Sequence, residues 1–453
     1  MKLPQTYAEA LTLSMSLVDF ERGSRIPDHH TFHLERMNLL LDAIGNPQNS
    51  IPSVHIAGTK GKGSTSAMVT SILTASGYKT GLITSPHLHS VTERIRHGLE
   101  PITRLAFVDL VRDLWSCVEK VSCSGGFGGV TWFEFMIAAS FYDFAKSRLG
   151  FMVVETGLGG RLDATNVILP QVSAITSISL DHTNILGDTV EEIAFEKGGI
   201  IKSGVPVVVS DQTEGVHDVL HAIAKKNQAQ YIKVSDKYSV QSVFHDISGQ
   251  TLSVRSDDRS RNFKLPLLGT HQIENAAVAI GIIDALKNNG YEIEEQSVIK
   301  GLEKIEWRAR FDVLQVRSPT IIVDGAHNPY SMERLTETLS NYATFERAII
   351  IYGALSNHEM GDMLLALKKL PCVIVGVKSR HPKASHHSEI EEKCGDINLD
   401  YIRGFDDVSE GFIYAQSIAR ETDVIVGTGS LSVAAEIIEN YENILPETYD
   451  SLL

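Results

Sequence analysis

The fold prediction rests on one stretch, Ser53-Val54-His55-Ile56-Ala57-Gly58-Thr59-Lys60-Gly61-Lys62-Gly63-Ser64. Its first half is a short apolar run ending in glycine, which predicts a buried strand, and residues 64–76 predict the helix that follows. Glycines let backbone N–H groups close around phosphate oxygens, and a helix N-terminus adds partial positive charge. The stretch therefore predicts a phosphate-binding loop, with Lys62 reaching the β- and γ-phosphates and the Ser64 hydroxyl near them.

This loop departs from the Walker pattern G-x-x-x-x-G-K-[ST], because the residue six before Lys62 is Ile56. What stands is a shorter pattern, G-x-x-G-K-G-S. A tight structural turn is therefore the alternative, although a strand before the loop and a helix after it favour phosphate binding.

Outward from this stretch, short apolar runs alternate with longer amphipathic ones, which is typical of βαβ units. Further strands are predicted at 79–84, 150–155, 172–177, 205–210, 320–323, 348–352, 372–377 and 424–426, and an alanine-rich helix at 271–286. Short alternating segments near 230–266 predict a small antiparallel insertion. We predict an α/β protein with a larger domain over residues 1–300 and a smaller one over 301–453, the boundary lying near 296–312.

Composition narrows the class of protein. The 453 residues include 41 Lys and Arg against 56 Asp and Glu, a net charge of −15, which argues against nucleic-acid binding. With 43% hydrophobic and 21% charged residues, the chain has the composition of a globular protein. Four cysteines without C-x-x-C spacing argue against a disulfide framework or a structural zinc site.

The sequence also predicts a cytoplasmic location. No apolar run approaches the roughly 18 residues that a membrane span needs. The N-terminal segment carries Glu9 and Asp19 within its apolar pattern, and a secretory signal needs an uninterrupted apolar core.

Polar side chains follow three predicted strands. Residues 84–87 (Thr-Ser-Pro-His) follow the second strand, Glu155 ends a third and leads into residues 156–163, and Asp181-His182-Thr183 follow a fourth. Ligands of parallel α/β sheets bind beyond the carboxyl ends of the strands, so these groups can converge. A hydroxyl, a carboxylate and an imidazole beside a triphosphate suit Mg²⁺. Each residue taken singly is better explained as a cap or turn, and it is their joint occurrence after strands that favours a site.

Three more positions are candidates. Lys197 ends a predicted helix, where it could simply complement the helix dipole. Arg308 and Arg310, at the predicted domain junction, offer a guanidinium that could clamp phosphate or form a surface ion pair. Asp324 and His327 follow the first strand of the second domain, where the alternative is a plain Asn-Pro turn.

Together these segments resemble the folylpolyglutamate synthase and dihydrofolate synthase family of the Mur ligase superfamily, in particular its bifunctional bacterial members. The resemblance rests on these ordered segments: GTKGKGS, TSPHL, TWFEF, VVETGLGGRLDATN, SLDHTNILGDTVEEIAFEKGGI, HQIENAA and VDGAHNP. It implies a P-loop, Mur-ligase-like ATPase domain, a smaller Rossmann-like glutamate-ligase domain, and an active site in the cleft between them.

The resemblance also implies roles for individual residues. ATP would contact Gly58, Thr59, Lys60, Gly61, Lys62, Gly63, Ser64, Asn275, Arg310 and Asp324. Two magnesium ions would be held by Ser85, Glu155, His182 and a carbamylated Lys197, with the register of Ser85 against Thr84 left open. The pterin would lie against Thr131, Trp132, Phe133, Glu134, Leu162, Asp163 and Ala164. Lys62, Lys197 and His327 would be catalytic.

Three positions depart from the family pattern. Lys60 stands where asparagine is usual, Ala309 where glycine is usual, and Asn357-His358 where an Asp-Lys or Lys-Asp pair is common. Because of Ala309, the choice between Arg308 and Arg310 as the clamp stays open.

The activity implied is ATP-dependent addition of L-glutamate to dihydropteroate and to the γ-carboxylate of reduced folates, through an acyl phosphate. The chain is expected to act as a monomer on small molecules. Two alternatives remain: another amino-acid ligase of the superfamily, of cell-wall or cyanophycin type, or a nucleotide-binding protein without catalysis.

Overall fold

The computed structural model describes residues 3–20, 33–124, 126–256, 259–317, 319–356 and 359–447. Its strands form three sheets. The first contains β1 (Ser53–Ala57), β2 (Thr80–Ile83), β3 (Ile95–His97), β4 (Glu100–Pro101), β5 (Phe151–Glu155), β6 (Val172–Ile175), β7 (Val207–Val209) and β8 (Tyr231–Lys233). The second contains β9 (Ser239–Asp246), β10 (Gly249–Ser256) and β11 (Arg259–Leu265). The third contains β12 (Asp312–Gln315), β13 (Thr320–Val323), β14 (Arg347–Tyr352), β15 (Cys372–Val377), β16 (Tyr401–Phe405) and β17 (Asp423–Thr428).

Helices connect and cover these strands. In the first part of the chain they are α1 (Tyr7–Met15), α2 (Leu34–Ala43), α3 (Lys62–Ala75), α4 (Arg104–Ser124), α5 (Trp132–Lys146), α6 (Thr183–Leu186), α7 (Val190–Gly198), α8 (Glu214–Lys226), α9 (Val234–Lys237), α10 (Thr270–Asn288) and α11 (Glu295–Glu303). Around the third sheet they are α12 (Pro329–Tyr342), α13 (Met360–Leu367), α14 (His387–Asp396), α15 (Val408–Ile418) and α16 (Leu431–Glu442). Short 3₁₀ helices lie at Pro47–Ser50, Val91–Arg94 and Ala164–Val167.

The first sheet has the order β4-β3-β2-β5-β1-β6-β7-β8, and β1 pairs in parallel with both β5 and β6. Because later strands flank β1 on both sides, the loop after it lies at a topological switch point, where α/β sheets bind ligands. Alternate residues of the central strands enter different cores. Phe151 and Val153 join the core with α3 and α10, whereas Met152 and Val154 join the core with α4 and α5.

The third sheet has the order β12-β13-β17-β14-β15-β16, parallel except for β12. The carboxyl ends of β13, β15 and β17 lead into loops that line the same cleft as the loops after β1, β2, β5 and β6. This cleft, with a volume of about 1500 Å³, therefore lies where the strand ends of the two parallel sheets meet.

The prediction of an α/β fold with an antiparallel insertion is confirmed, but the insertion begins later than expected. Residues 231–233 form β8, which pairs in parallel with β7, so the three-stranded sheet starts only at Ser239. The short strands β3 and β4 of the first sheet were not predicted, and neither were two strands of the third sheet, β12 and β16. Both lie at edges of the third sheet and are partly exposed, so neither has the continuous apolar run that marked the central strands.

All four cysteines are free thiols. Among the residues that the structure describes, none of the helices combines the length and apolar character needed to cross a bilayer. The Asn357-His358 pair, which departs from the family pattern, lies outside the described residues.

Candidate active site

The predicted phosphate loop connects β1 to α3, and α3 begins at Lys62, two residues earlier than the sequence indicated. Gly58 and Gly61 have φ of +153° and +87°. A Cβ at Gly61 would lie 2.1 Å from Asn275 Oδ1, so the loop requires glycine here for both conformation and space. The first turn of α3 leaves backbone N–H groups without intrahelical acceptors, as anion binding requires.

The Lys62 side chain turns back over this loop. Its Nζ donates to Gly58 O at 3.1 Å and to Thr59 O at 3.4 Å. The ammonium group is thus held by two backbone carbonyls of the loop, next to the backbone N–H groups of the first turn of α3.

Lys60 links the phosphate loop to the third sheet. Its Nζ lies 2.8 Å from Asp181 Oδ2 and 3.3 Å from His327 Nε2. Burial lowers the pKa of Lys60, with Asp181 opposing the shift. Burial acts to raise the pKa of Asp181, but the charge and hydrogen bond of Lys60, together with His182 and His327, outweigh burial and the pKa falls below its usual range. The additional positive charge that Lys60 brings to the loop is therefore paired with the carboxylate of Asp181.

His327 has one ring nitrogen fixed by the backbone. Its Nδ1 lies 2.8 Å from Gly325 O, so Nδ1–H donates to that carbonyl and Nε2, beside Lys60, carries a lone pair. The histidine is thereby placed between the third sheet and the phosphate loop, as its predicted role requires.

Glu155 and Ser85 form the floor of the cleft beside the loop. Ser85 N–H donates to Glu155 Oε2 at 3.2 Å, and a Cβ at Gly63 would lie 3.7 Å from the same oxygen. Burial raises the pKa of Glu155 to about 7, against the influence of Lys62. Ser85 lines the cleft, whereas Thr84 is buried at the end of β2. The structure therefore favours Ser85 in the open choice of register.

Lys197 lies under the phosphate loop rather than over the end of its own helix. Its buried Nζ donates to Gly58 O at 2.8 Å. Burial, assisted by Lys62, lowers its pKa to about 7. Gly160 makes this position possible, since a Cβ there would lie 2.8 Å from Lys197 O. The simple helix-dipole interpretation of Lys197 does not account for a side chain that bonds another element.

The predicted magnesium ligands offer oxygen atoms of the kind that Mg²⁺ prefers. The carboxylate of Glu155 is buried next to the phosphate loop, Ser85 bonds that carboxylate through its backbone N–H, and Lys197 bonds the loop itself. His182 stands apart from them, with a side chain 60% exposed at the mouth of the cleft and Nε2 3.8 Å from Asp181 Oδ1. The buried carboxylate fits a cation, since its charge otherwise opposes its burial.

The remaining predicted nucleotide residues surround the loop from α10 and the domain junction. Asn275 packs on Gly61 and donates to Gln272 Oε1 at 3.0 Å. Arg310 lines the cleft, while Arg308 pairs with Asp312 and Glu442, each at 2.6 Å. The structure therefore favours Arg310 as the clamp.

Asp324 has a structural duty in addition to its predicted role. Its carboxylate accepts from Phe311 N–H at 2.7 Å and from Ala326 N–H at 2.8 Å. These bonds fix the backbone directly after Arg310 and directly before His327. Ala309 and Phe311 have φ of +57° and +47°, the left-handed region that favours glycine. The expected glycine at position 309 is thus replaced by a residue held there by its buried surroundings.

The predicted pterin segments lie on one wall of the cleft, with one exception. Thr131, Phe133, Glu134, Leu162, Asp163 and Ala164 all line it. Trp132 is fully buried in the core with α4 and α5, beneath Arg94, so its assignment as a pterin contact is wrong. The cause is the helical period, because Trp132 opens α5 and points toward the core while Phe133 points into the cleft.

Glu134 and Asp163 are already engaged within the protein. Glu134 forms a capping box with Thr131 and accepts from Arg36 Nε at 2.7 Å and 2.9 Å. Asp163 accepts from Leu158 N–H at 2.8 Å and Thr165 N–H at 3.0 Å. Burial raises the pKa of Asp163.

Behind Asp163 lies a buried histidine on β1. His55 Nε2 is 2.8 Å from Thr165 Oγ1, which in turn donates to Asp163. Burial lowers the pKa of His55 to about 3, so the imidazole is neutral and its Nε2–H donates to the threonine. This chain of hydrogen bonds connects the Asp163 carboxylate to His55 on β1 through the Thr165 hydroxyl.

A pH effect on stability follows from His55. Between about pH 3 and 6.5 the unfolded chain binds a proton that the folded chain excludes, so acidification destabilises the fold by up to about 1.4 kcal/mol per pH unit. We expect His55→Gln, which keeps an N–H donor, to show a smaller fall in thermal midpoint between about pH 7 and pH 5. Exposed His221→Gln is the control and should behave as the parent. Equal falls in parent and His55→Gln would contradict the assignment.

The sequence did not predict the parts of the cleft wall that come from the loop after β15, from α16 and from the N-terminal segment. Arg380 donates to Glu436 and Glu439 on α16, and His89 Nδ1 lies 3.0 Å from Glu439 Oε1. Arg36 on α2 was also missed. Residues 379–382 (Ser-Arg-His-Pro) follow β15 as a polar cluster, and a polar cluster directly after a parallel strand is a sequence signal that indicates Arg380.

Comparison with known proteins agrees with this arrangement. Residues 131–283 match the Mur ligase middle domain, and residues 309–431 match the Mur ligase glutamate ligase domain. The dihydrofolate synthase/folylpolyglutamate synthase of Bacillus subtilis (strain 168) is 33% identical over 408 residues, covering 89% of this chain and 94% of that protein.

Solved structures share the fold over nearly the whole chain. Mycobacterium tuberculosis folylpolyglutamate synthase complexed with ADP is 29% identical with a TM-score of 0.85, covering 97% of this chain and 99% of its own. Escherichia coli FolC in complex with DHPP and ADP is 27% identical with a TM-score of 0.84, covering 98% and 99%. The chain therefore belongs to the dihydrofolate synthase/folylpolyglutamate synthase family of Mur ligases.

Proposed function

We propose that this protein is an ATP-dependent ligase that adds L-glutamate to dihydropteroate, forming dihydrofolate, and to the γ-carboxylate of reduced folates. The observation that carries the proposal is one cleft in which the phosphate loop, the buried Glu155 and Lys197, and the pterin-side segments all meet. Residues 1–300 are proposed as the ATP-binding domain and residues 301–453 as the glutamate-ligase domain.

A carboxylate is a poor electrophile, so amide formation begins with transfer of the ATP γ-phosphoryl group to it. The amine of L-glutamate then attacks the acyl phosphate, and phosphate leaves. In phosphoryl transfer most of the catalysis is positioning and charge stabilisation. Lys62 is proposed to swing from the carbonyls of Gly58 and Thr59 to the β- and γ-phosphates. Arg310 lines the same cleft, and His327 reaches Lys60 of the phosphate loop from the side of the third sheet.

Magnesium, when bound, would neutralise charge on the transferring phosphoryl group. Glu155 and Ser85 would hold one ion, and His182 and a carbamylated Lys197 would hold a second. The lowered pKa of Lys197 supports carbamylation, because the neutral amine is the form that reacts with CO₂. The lone pair of Nζ attacks the carbon of CO₂, so that an N–C bond forms while one C=O π bond breaks and its electron pair moves onto oxygen. One N–H proton then passes to solvent and leaves the carbamate anion.

The deciding assay is phosphate release from ATP by the full chain. Release that requires both dihydropteroate and L-glutamate is the expected result. Release with another acid or amino acid instead would favour a different Mur-type ligase, and nucleotide binding without release under any condition would favour a non-catalytic protein. Replacing dihydropteroate with a reduced folate monoglutamate tests the second activity.

We expect Glu155→Gln to raise the magnesium concentration for half-maximal activity by at least about tenfold, because the amide keeps the shape but loses the charge that a hard cation binds. The KM for dihydropteroate should stay within about twofold of the parent. A magnesium titration of phosphate release measures the first quantity. Exposed Glu191→Gln on α7 is the matched control. An unchanged magnesium titration with lost dihydropteroate binding would place Glu155 in the pterin site instead.

A further inference from the structure

A cluster of metal-ligating side chains lies on the third sheet, outside the cleft residues. His386 and His387 lie at the start of α14, and Asp406 lies in the turn between β16 and α15. Strand β16 is an edge of the sheet, so this turn is held from one side only by β15. The three residues bring together segments that are separated by about one βα unit in the sequence.

The spacing of the three ligand atoms matches a small coordination sphere. Asp406 Oδ1 lies 3.1 Å from His386 Nε2 and 3.8 Å from His387 Nε2, and all three ligand atoms lie within 4.8 Å of one another. Tetrahedral zinc with bonds of about 2.0–2.1 Å separates its ligands by roughly 3.4 Å. Small side-chain movements would therefore close the three atoms around one ion.

The other ring nitrogens determine how each Nε2 could reach a metal ion. His386 Nδ1 lies 2.7 Å from Ser388 Oγ and accepts from Ser388 N–H at 3.3 Å, so in the described structure the proton of the neutral ring is on Nε2, which faces Asp406. A metal ion would take the place of this proton on Nε2, and the proton would move to Nδ1, where it can donate to the Ser388 hydroxyl. The ring of His387 packs on Gly404, where a Cβ would lie 2.1 Å from its Nδ1, and that nitrogen is buried without a hydrogen-bond partner among the described residues. The ring is thereby fixed with Nε2 facing Asp406.

We propose that His386, His387 and Asp406 form a binding site for a divalent transition metal, with Zn²⁺ the best fit. Two imidazoles and one carboxylate suit Zn²⁺, Cu²⁺, Ni²⁺ or Co²⁺ better than Mg²⁺ or Ca²⁺, which take oxygen ligands. The exposed position leaves a fourth place for water. The N-terminus of α14 opposes a cation through the helix dipole, and the carboxylates of Asp406 and of Glu389, which accepts from His386 N–H, offset it.

A bound metal ion would cross-link α14 to the β16–α15 turn at the edge of the third sheet. It would stabilise the folded chain, and this stabilisation would rise with the fraction of sites that hold a metal ion. Without a metal the same residues form exposed histidine–aspartate contacts, which contribute little to stability.

The test is a zinc titration of the full, untagged chain by calorimetry, with excess Mg²⁺ present to occupy hard-cation sites. We expect the parent to bind one more equivalent of Zn²⁺ than Asp406→Asn or His387→Ala, with a dissociation constant in the micromolar range. Co²⁺ should give the visible absorption of a tetrahedral ion in the parent only. Zinc should raise the thermal midpoint of the parent and not that of the variants.

Two controls keep the result decisive. His97→Ala removes one member of a separate His97–Asp143 pair, 2.6 Å apart, and should bind zinc as the parent does. Asp406→Asn alters an exposed side chain, so its thermal midpoint without metal should match the parent and show that it folds. Equal zinc stoichiometry in the parent and Asp406→Asn, or no binding below millimolar zinc, would overturn the proposal.

Discussion

Replacing Lys62 with alanine is expected to reduce ATP-dependent phosphate release by roughly 10³-fold, because the variant loses the mobile cation beside the β- and γ-phosphates. The fold should survive, since the Lys62 ammonium group bonds two carbonyls of an adjacent loop, Gly58 O and Thr59 O, and spans no distant elements. Phosphate release measures the loss, and circular dichroism with the thermal midpoint measures the fold.

The matched control for Lys62 is Lys225→Ala, which removes an exposed lysine from the end of α8. It should turn over as the parent does. A folded Lys62→Ala variant with near-normal turnover would contradict the assignment of the loop to phosphate binding and would favour the tight structural turn.

Lys197→Ala is expected to lower turnover by roughly 10²-fold or more, through loss of a carbamate ligand to the second metal ion. A short carboxylic acid such as propionate should restore part of the activity by filling the space left under Gly58. In the parent, labelled bicarbonate should give a carbamate carbon signal by NMR. The lowered pKa of Lys197 makes the free amine available for this reaction near neutral pH.

Lys202→Ala provides a close control for Lys197. Lys202 is a partly buried lysine that, like Lys197, donates to a backbone carbonyl, Asn166 O at 2.9 Å, and its pKa is also lowered by burial. Lys202 does not line the cleft, so Lys202→Ala should keep both its activity and the carbamate signal. Added propionate should not change the activity of this variant. Normal turnover in Lys197→Ala, with an unmodified lysine in the parent, would reduce the role of Lys197 to its structural hydrogen bond with Gly58 O.

The central strands were predictable because each is a short apolar run bounded by polar or glycine-rich turns. Strand β5, for example, is buried along its whole length, and its apolar composition reflects that burial directly. The edge strands β12 and β16 were not predictable, since their stability comes from pairing with a neighbour and not from an apolar run.

The candidate site divides in the same way. The phosphate loop and the polar strand ends were predictable, because glycine and charged residues that directly follow a buried strand are typical of a ligand site at the sheet edge. Trp132 was misplaced because four neighbouring residues of a motif enter a helix, and the helical period sends adjacent side chains to different faces.

The sequence by itself determined the order of βα units, the switch-point loop from Gly58 to Ser64 and, through its motifs, the family. These are local properties, which depend on the hydrophobic period and on the conformational freedom of glycine. Only the tertiary structure decided that Lys197 reaches Gly58, that Arg310 rather than Arg308 faces the cleft, and that Lys60 meets Asp181 and His327. Each of these arrangements depends on elements that lie far apart in the chain. The pKa values of Lys197 and Glu155 shift because these groups are buried, and they are buried only once the chain has folded around them.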